Sequence, residues 1–155
     1  MPLAFREPES ADHDRIVDMV VRSFAPITWY RKLDARLEPL NGRDWKQRFE
    51  DRVRAALARQ YVIVGESDGR LATYASGDYD PKTRSAFLDL LAVADDAQRS
   101  GLGRETLREF ERRMADQGAL YLHLECLTDN DAGNALYESE GFFEIARHFH
   151  WYKKI

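Results

Sequence analysis

The order of strand-like and helix-like segments in this sequence predicts an α+β fold built around a mixed sheet. Three strand-like segments follow one another in the middle of the chain, at residues 61–66, 71–77 and 85–93. A helix, a strand, a second helix and a final strand-like stretch come after them, and this order is typical of helices packed on a mixed sheet. Because the sequence has no internal repeat and no linker-like stretch, we predict a single domain over residues 1–155.

The first third of the chain is predicted to hold a short strand and two amphipathic helices. Residues 3–7 favour the strand, and Asp12 is the predicted N-cap of a run of apolar residues at helical spacing. Residues 25–43 contain two prolines and a glycine, which favours a loop with at most one short helix. From Asp44 a second helical pattern begins, with its apolar face formed by Trp45, Phe49, Val53, Ala56 and Leu57.

Turn residues divide the second half of the chain into its elements. Asp68-Gly69 predicts a hairpin between the first two central strands, and Gly118 is the predicted end of the helix that follows the third. The alternating residues 121–127 predict a strand, and a helix is expected from near Asp131 to Gly141. The final segment, FFEIARHFHWYKKI, is predicted to form one or two strands, and it covers residues 142–155.

Composition excludes several classes of partner. The formal net charge of −4 argues against nucleic acid as the main partner, and no run approaches the ~18 apolar residues that span a membrane. A single cysteine, Cys126, forms no bridge within the chain and favours a reducing compartment. The N-terminal residues turn polar too soon for a signal peptide, so a cytoplasmic location is expected.

The stretch QRSGLGR, residues 98–104, joins the third central strand to a helix and contains two glycines. The first N–H groups of a helix have no partner within the helix, and together with the helix dipole they form an anion site. Glycines let a phosphate approach the backbone closely. The stretch lacks the lysine and hydroxyl of a nucleotide-binding P-loop, and Thr106 replaces the third glycine of a dinucleotide fingerprint. A tight connection without a ligand remains the alternative.

Two motifs in this order and spacing resemble those of the GNAT superfamily of N-acetyltransferases. The first is an Arg/Gln-x-x-Gly-x-Gly/Ala turn after a strand, and the second is an Asn-(x)6-Tyr-(x)3-Gly-Phe segment. One departure is Gly133, where the family usually has alanine. The residues that fill the two patterns are Gln98, Gly101 and Gly103, followed by Asn130, Tyr137, Gly141 and Phe142.

The resemblance implies a mostly antiparallel central sheet flanked by helices on both faces, with acetyl-CoA as the co-substrate. It implies that the pyrophosphate lies on the turn that contains the two glycines. The pantetheine would lie in a gap between the third central strand and residues 121–127. The residues that the resemblance assigns to acetyl-CoA are Leu91, Val93, Gln98, Arg99, Ser100, Gly101, Leu102, Gly103, Arg104 and Asn130.

The resemblance also implies direct attack of a primary amine on the thioester. An alkylamine with a pKa near ~10 must lose a proton, and the leaving thiolate departs more easily when a hydroxyl protonates it. Tyr137 occupies the family's position for that acid, although a helical aromatic residue is also typical of a core. The acceptor itself is not identified by the sequence.

Asp89 is the first candidate for the base, because many relatives place a carboxylate there. As a strand residue it shares a face with Phe87, Leu91 and Val93 and is the polar residue of that face. A merely paired or solvent-facing aspartate is an equal alternative. Glu125, His123 and a chain of water molecules are the competing candidates for the base.

A non-catalytic acyl-CoA-binding or regulatory module is the alternative to an enzyme. Such a module would keep the turn without turnover, although it would not need Tyr137. A homodimer is compatible with the family. His148 and His150 are separated by one residue with no acid nearby, so no metal site is predicted. Trp29 lies where the resemblance implies the border of the acceptor groove, and a hydrophobic plug is the other interpretation.

Overall fold

Within residues 2–155, which the computed structural model describes, five strands form one sheet whose order follows the chain. The strands are β1 (Ala4–Arg6), β2 (Tyr61–Ser67), β3 (Arg70–Asp80), β4 (Ser85–Val93) and β5 (Tyr121–Leu124). Neighbouring strands are antiparallel from β1 to β4, whereas β4 and β5 are parallel. The predicted α+β fold with a mixed, mostly antiparallel sheet is therefore confirmed.

Helices cover both faces of this sheet. They are α1 (His13–Phe24), α2 (Trp29–Leu37), α3 (Trp45–Arg59), α4 (Leu102–Asp116) and α5 (Asp131–Ser139). Apolar side chains of α1 and α3 form one buried cluster with one face of the sheet. Those of α4 form a second cluster with the other face, and half-buried residues of α5 pack against it. The sheet is thus the middle layer of three.

Local capping explains where most of the helices begin and end. Asp44 accepts a hydrogen bond from the Gln47 backbone N–H at 2.8 Å, which caps α3 as predicted. Gly118 and Gly141 follow α4 and α5 with φ values of 110° and 89°, a conformation that favours glycine. Asp12 precedes α1 as predicted, but its side chain does not cap that helix.

Asp12 instead joins the beginning of the chain to the sheet. Its buried carboxylate accepts hydrogen bonds from Arg6 at 2.7 Å and 3.1 Å and from the Glu9 backbone N–H at 2.8 Å. Arg6 also donates to Glu66 at 2.7 Å, so one guanidinium bridges two carboxylates. Hydrogen bonds from Arg6 and Glu9 hold the pKa of Asp12 well below its usual range.

A β-bulge interrupts the pairing of β4 with β3. Ser76 pairs with Leu90, but the next residue of β3, Gly77, pairs with Leu88, so Asp89 is an extra residue in β4. Leu88 packs in the α4 cluster, whereas Leu90 packs in the α1–α3 cluster. In a regular strand these two side chains would point to the same face. The bulge therefore shifts the alternation of β4 by one residue.

The bulge corrects the predicted face of Asp89. Leu91 lies on the α4 side of the sheet and Val93 lies close to Gly103 of α4, whereas Asp89 reaches Arg52 of α3. Asp89 therefore does not share a face with Leu91 and Val93, as it would in a regular strand.

The C-terminal segment, residues 142–155, is predicted to form one or two strands, and this prediction is wrong for the chain as it folds here. None of these residues belongs to a helix or strand. Phe142 is half-buried against Tyr137, with ring centroids 5.8 Å apart, while all residues from Phe143 to Ile155 are exposed. A strand requires a hydrogen-bonding partner, and this segment finds none among residues 2–155.

Candidate functional site

The glycine-containing turn follows β4 and leads directly into α4. Gly101 is the N-cap residue of α4 and has a φ of 84°, and Arg99 also has a positive φ, 63°. Two left-handed residues so close together turn the chain sharply before the helix begins. Residues 98–104 thus form the predicted strand-to-helix connection.

A run of unpartnered backbone donors lines this turn. None of the backbone N–H groups from Gln98 to Arg104 donates a hydrogen bond to any atom of residues 2–155. The first N–H group beyond this run that donates a hydrogen bond is that of Glu105, which donates to the carbonyl oxygen of Gly101 at 3.2 Å. The N-terminal end of a helix also carries the positive end of its dipole. The turn therefore has the donors and the electrostatic polarity of an anion site.

The two glycines serve different purposes in the turn. A Cβ atom on Gly101 would meet nothing within 4 Å, so its positive φ is what favours glycine there. A Cβ atom on Gly103 would lie 3.5 Å from Val93 and 3.7 Å from Leu136, which are ordinary contacts. Neither glycine is required by crowding within the protein, and both leave the backbone open to a ligand.

Several side chains of the turn are bound to the protein itself. Gln98 donates to the carbonyl oxygen of Val93 at 3.3 Å, and the Ser100 hydroxyl donates to that of Ala97. Arg104 donates to Ser139 at 2.9 Å and forms an ion pair with Glu140, which ties α4 to α5. The groups of this turn that are free to meet an anion are therefore mainly backbone amides.

A gap opens between β4 and β5 beside this turn. The two strands pair only from Ser85 to Leu88 of β4, and β5 ends at Leu124. β5 is therefore shorter than the predicted strand over residues 121–127. β4 continues to Val93 without a partner on its β5 side. The backbone of Leu91 and Val93 borders the resulting gap.

Asn130 has a structural role at the start of α5. Its side-chain oxygen accepts a hydrogen bond from the Gly133 backbone N–H at 3.1 Å, which caps the helix. A Cβ atom on Gly133 would lie 2.6 Å from the Asn130 side chain and 3.1 Å from the sulfur of Cys126. Glycine therefore replaces the family's usual alanine because the cap and Cys126 fill this space.

Cys126 lies after the end of β5, not within the strand as predicted, and it is half-buried. Burial raises the pKa of its thiol, although a hydrogen bond with Asn130 lowers it in part. A thiol with a raised pKa is a poor nucleophile at neutral pH.

Tyr137 lies on α5 and packs against the α4 cluster, which also contacts Leu122 and Leu124 of β5. Burial raises the pKa of the Tyr137 phenol well above its usual value, and the nearby Cys126 acts in the same direction. The hydroxyl makes no hydrogen bond within residues 2–155. Tyr137 therefore keeps its proton at neutral pH.

Asp89 lies on the opposite side of the sheet from the α4 cluster. Its carboxylate accepts a hydrogen bond from Arg52 of α3 at 2.8 Å. A cavity of about 280 Å³ opens beside it and is also lined by Asp78 and Gln60, which are joined by a 3.0 Å hydrogen bond. The sequence did not reveal Arg52 as a partner, because no local signal links a residue of α3 to one of β4.

The competing candidates for the base share an exposed face of β5 and of the residues that follow it. His123 and Glu125 both point away from the α4 cluster, and the ring of His123 lies 5.0 Å from that of Phe87. Neither has a hydrogen-bonding partner among residues 2–155.

The beginning of α2 contacts the loop before α5 and the C-terminal segment. Lys32 forms an ion pair of 2.6 Å with Asp129, and Trp29 packs on Tyr30 and on His150, with ring centroids 4.6 Å and 4.5 Å away. These contacts join α2 to the loop before α5 and to the C-terminal segment. Trp29 is half-buried, so it is neither a core residue nor a free surface residue.

Neither a cluster of metal-ligating side chains nor a membrane-spanning helix occurs within residues 2–155. Across residues 2–155, three or more His, Cys, Asp or Glu side chains nowhere come together in a way that could hold a metal ion. Over the same residues, every helix is too short or too polar to cross a membrane.

Comparison with known proteins identifies the family. The model of the acetyltransferase (GNAT) family matches residues 27–142, and no curated protein matches the chain. Among solved structures, the chain is similar to the ribosomal-protein-S18-alanine N-acetyltransferase from Escherichia coli, with 24% identity and a TM-score of 0.70 over 94% of this chain and 80% of that one.

Two more distant structures share the fold and contain coenzyme A. The PaiA N-acetyltransferase from Thermoplasma acidophilum, in complex with coenzyme A, is 17% identical with a TM-score of 0.67, covering 92% of this chain and 91% of that one. The aminoglycoside N-acetyltransferase AAC(6')-Iy, in complex with CoA, is 12% identical with a TM-score of 0.68, covering 99% and 96%. At these identities the likeness shows the fold alone. Because the family model spans most of the sequence, the chain belongs to the GNAT family of acetyltransferases and is an N-acetyltransferase that uses acetyl-CoA as its co-substrate.

Proposed function

We propose that this enzyme transfers the acetyl group of acetyl-CoA to a primary amine by direct attack of the amine on the thioester. The observation that carries the proposal is the run of free backbone N–H groups over residues 98–104, at the N-terminus of α4. This run provides an anion site beside the gap between β4 and β5. An anion and an extended thioester chain can thus be bound next to each other.

The anion that fits the turn is the pyrophosphate of acetyl-CoA. Its contacts are the backbone N–H groups from Gln98 to Arg104, because most polar side chains of the turn already bind the protein. The pantetheine follows the gap, where Leu91 and Val93 offer backbone groups on the side without a partner strand. Asn130 contributes by capping α5, which packs against the start of α4.

The reaction requires two proton movements. The amine nitrogen forms a bond to the carbonyl carbon, the carbon–sulfur bond breaks, and the nitrogen gives up a proton while the sulfur gains one. An amine with a pKa near ~10 is protonated at neutral pH, so a base must assist it. The leaving thiolate, with a reference pKa near ~8.5, is helped by an acid.

Tyr137 is the proposed acid. Its raised pKa keeps the hydroxyl protonated at neutral pH, and the hydroxyl has no partner within residues 2–155 that would compete for the proton. It also lies on α5, whose Leu136 approaches Gly103 of the anion site. Its proposed role is to protonate the sulfur as the carbon–sulfur bond breaks.

Asp89 is the proposed base or the group that relays the proton to water. It lies across the sheet from the α4 cluster, where an amine can approach without meeting the pantetheine. The adjacent cavity of about 280 Å³ gives solvent and a small amine access to the carboxylate. Arg52 holds the carboxylate in place.

The experiment that tests the function follows CoA release with a panel of amine acceptors, together with the mass of each product. The panel contains small polyamines, amino acids, aminoglycosides and peptides with free N-termini. A product heavier by one acetyl group, formed only with enzyme, supports the proposal. Acetyl-CoA hydrolysis that no acceptor accelerates would contradict it.

We also propose that the enzyme works in the cytoplasm. A half-buried, unpaired Cys126 is compatible with the reducing conditions of a cytoplasm. The acidic net charge of −4 favours neither nucleic acid nor an anionic membrane surface as a partner. We further propose that the enzyme forms a homodimer. The outer edge of β5 has no partner strand within residues 2–155, so it is open to pairing with a second copy.

A further inference from the structure

A pair of buried threonines joins the central sheet to the beginning of α4. Thr73 of β3 and Thr106 of α4 are both 0% exposed, and their hydroxyl oxygens lie 2.8 Å apart. The Thr106 hydroxyl also lies 2.8 Å from the carbonyl oxygen of Leu102, the first residue of α4. Because a carbonyl oxygen only accepts, Thr106 donates to Leu102 and accepts a hydrogen bond from Thr73. The hydrogen bonds thus run from the sheet to the start of the helix.

A hydroxyl on this face of α4 does something that apolar packing does not do. Burying a hydroxyl costs free energy unless it is hydrogen-bonded, and a valine would fill a similar space without that cost. A hydrogen bond depends on distance and direction, whereas apolar contact is not directional. Thr106 therefore fixes how the helix is placed and rotated on the sheet. The other buried residues of α4 are apolar, and they are Leu102, Leu107, Phe110 and Met114.

The neighbouring strand β2 leaves room for this hydroxyl pair with a glycine. Gly65 pairs with Thr73 across the two antiparallel strands. A Cβ atom on Gly65 would lie 2.3 Å from the Thr73 hydroxyl oxygen, which is closer than a carbon and an oxygen atom can approach. Any larger residue at this position would therefore push Thr73 away from Thr106.

The threonine pair lies between the two parts of the proposed acetyl-CoA site. On its other side, Thr73 pairs with Val93, the last residue of β4, whose backbone borders the gap proposed for the pantetheine. α4 begins with the free N–H groups proposed for the pyrophosphate. The sheet thus attaches Thr73 to the pantetheine gap, and Thr106 attaches the same residue to the helix of the anion site.

Other contacts at the beginning of α4 do not provide this connection. Arg104 is exposed and bonds to Ser139 and Glu140, which lie at the end of α5 and not on the sheet. A Cβ atom on Gly103 would lie 3.5 Å from Val93, so glycine leaves that space open. Within residues 2–155, the hydrogen bond between the two threonines is the one that ties residues 102–106 to a strand.

We infer that Thr73 and Thr106 are positioning residues that hold the two parts of the acetyl-CoA site at a fixed distance and angle. Acetyl-CoA is one ligand with two contact regions, so it gains from both regions only when their geometry matches the ligand. A site that is already arranged avoids the cost of being ordered on binding. The inference rests on the proposed placement of the pyrophosphate at residues 98–104.

Binding of the whole ligand and of its two halves tests this role. The probes are acetyl-CoA, S-acetylpantetheine, which can occupy only the gap, and inorganic pyrophosphate, which can occupy only the turn. In Thr106→Val we expect the Kd for acetyl-CoA to rise about 3–10-fold, the effect of one hydrogen bond. The Kd values for the two halves should stay close to those of the wild type, because each half meets an intact surface. Calorimetry measures acetyl-CoA binding, and NMR titration measures the weaker halves.

Three further variants separate positioning from a general loss of stability. Thr106→Ser keeps the hydroxyl and should restore most of the affinity for acetyl-CoA. The double variant Thr73→Val with Thr106→Val leaves neither hydroxyl without a partner, so it should fold even where a single variant does not, and it should show the same selective loss. Thr28→Val is the control for losing a buried hydroxyl, because Thr28 is 6% exposed and caps α2. It should lower the free energy of unfolding and leave all three Kd values unchanged.

Two results would overturn the inference. One is an unchanged Kd for acetyl-CoA in the folded double variant. The other is an equal weakening of acetyl-CoA and pyrophosphate, which would mean that the pair only maintains the turn. A failure of the proposed placement looks different, because pyrophosphate would then bind to Gly101→Glu as it binds to the wild type, whatever the threonine variants do.

Discussion

The carboxylate of Asp89 lies 2.8 Å from the guanidinium of Arg52, so the extra residue of β4 is joined to α3. The two side chains are 18% and 34% exposed, which places the pair at the border of the core. The ion pair fixes the direction in which the bulged residue points. A carboxylate held in this way can accept a proton from an amine that approaches along the cavity.

Asp89→Asn should lower kcat/KM most at neutral pH. The deficit should shrink as the pH rises toward the pKa of the amine, near ~10, because a free amine no longer needs a base. Profiles of kcat/KM from about pH 7 to about pH 9.5 measure this change as the amine loses its proton. A loss that is equal at every pH would assign Asp89 a structural role.

Asp78→Asn is the matched control for that variant. Asp78 lines the same cavity but accepts a hydrogen bond from Gln60 instead of an arginine. We expect its pH profile to be parallel to that of the wild type. A pH-dependent deficit in both variants would mean that the charge of the cavity matters and not the position of Asp89.

Gly101→Glu should abolish most of the affinity for acetyl-CoA. The substitution places a negative side chain in the open space beside the free N–H groups and adds strain at a φ of 84°. Calorimetry with acetyl-CoA measures the affinity, and far-ultraviolet circular dichroism checks the fold.

Gly42→Glu provides the control for strain and charge. Gly42 has a φ of 75°, and a Cβ atom added to it would also meet nothing within 4 Å, but it lies in the loop between α2 and α3. This variant should bind acetyl-CoA as the wild type does. Unchanged affinity in a folded Gly101→Glu variant would remove residues 98–104 from the binding site.

Tyr137→Phe should lower kcat by about 10²–10⁴-fold when chemistry limits turnover, because a proton donor acts mainly in the transition state. The ring is kept, so its packing against Phe142 should survive. The Kd for acetyl-CoA should change little, since a neutral hydrogen bond contributes only about 0.5–1.5 kcal/mol. Tyr61→Phe, which removes a hydroxyl bound to Arg113 far along the sheet, should keep its kcat. Near-normal kcat in Tyr137→Phe would remove this residue from the mechanism.

Asp12→Asn should destabilise the fold by about 2–4 kcal/mol at neutral pH, because it removes one partner of a largely buried ion pair. The hydrogen bond from Arg6 lowers the pKa of Asp12 in the folded protein, so its contribution is complete above the unfolded pKa near ~4. Below that pH the wild type should lose about 1.4 kcal/mol of this advantage for each pH unit. Urea unfolding at about pH 7, 5 and 3 measures the difference. A difference that stays constant over this range would contradict the assignment.

Most of the fold could be predicted because its signals are local. The hairpin at Asp68-Gly69 and the capped start of α3 depend on residues adjacent in sequence, and both are confirmed. The turn of residues 98–104 is recognisable in the same way. The face of Asp89 could not be predicted, because a bulge is a property of two paired strands and β4 alone looks regular.

The prediction for the C-terminal segment was wrong for a related reason. Its alternation of apolar and polar residues is typical of a strand, and the rings of Phe149 and Trp151, two residues apart, lie with their centroids 5.8 Å from each other. Whether an extended segment becomes a strand depends on which edge is available to it. The sequence of one chain does not contain that information.

The bulge in β4 makes Asp89 a dispensable residue for the sheet itself. Without it, Leu88 and Leu90 would become neighbours in a regular strand, and their alternation would direct them to the same two clusters that they occupy now. A gene that lost this one codon would therefore still encode a folded protein with both cores intact. Such a deletion would separate what the chain needs to fold from the catalytic role proposed for Asp89.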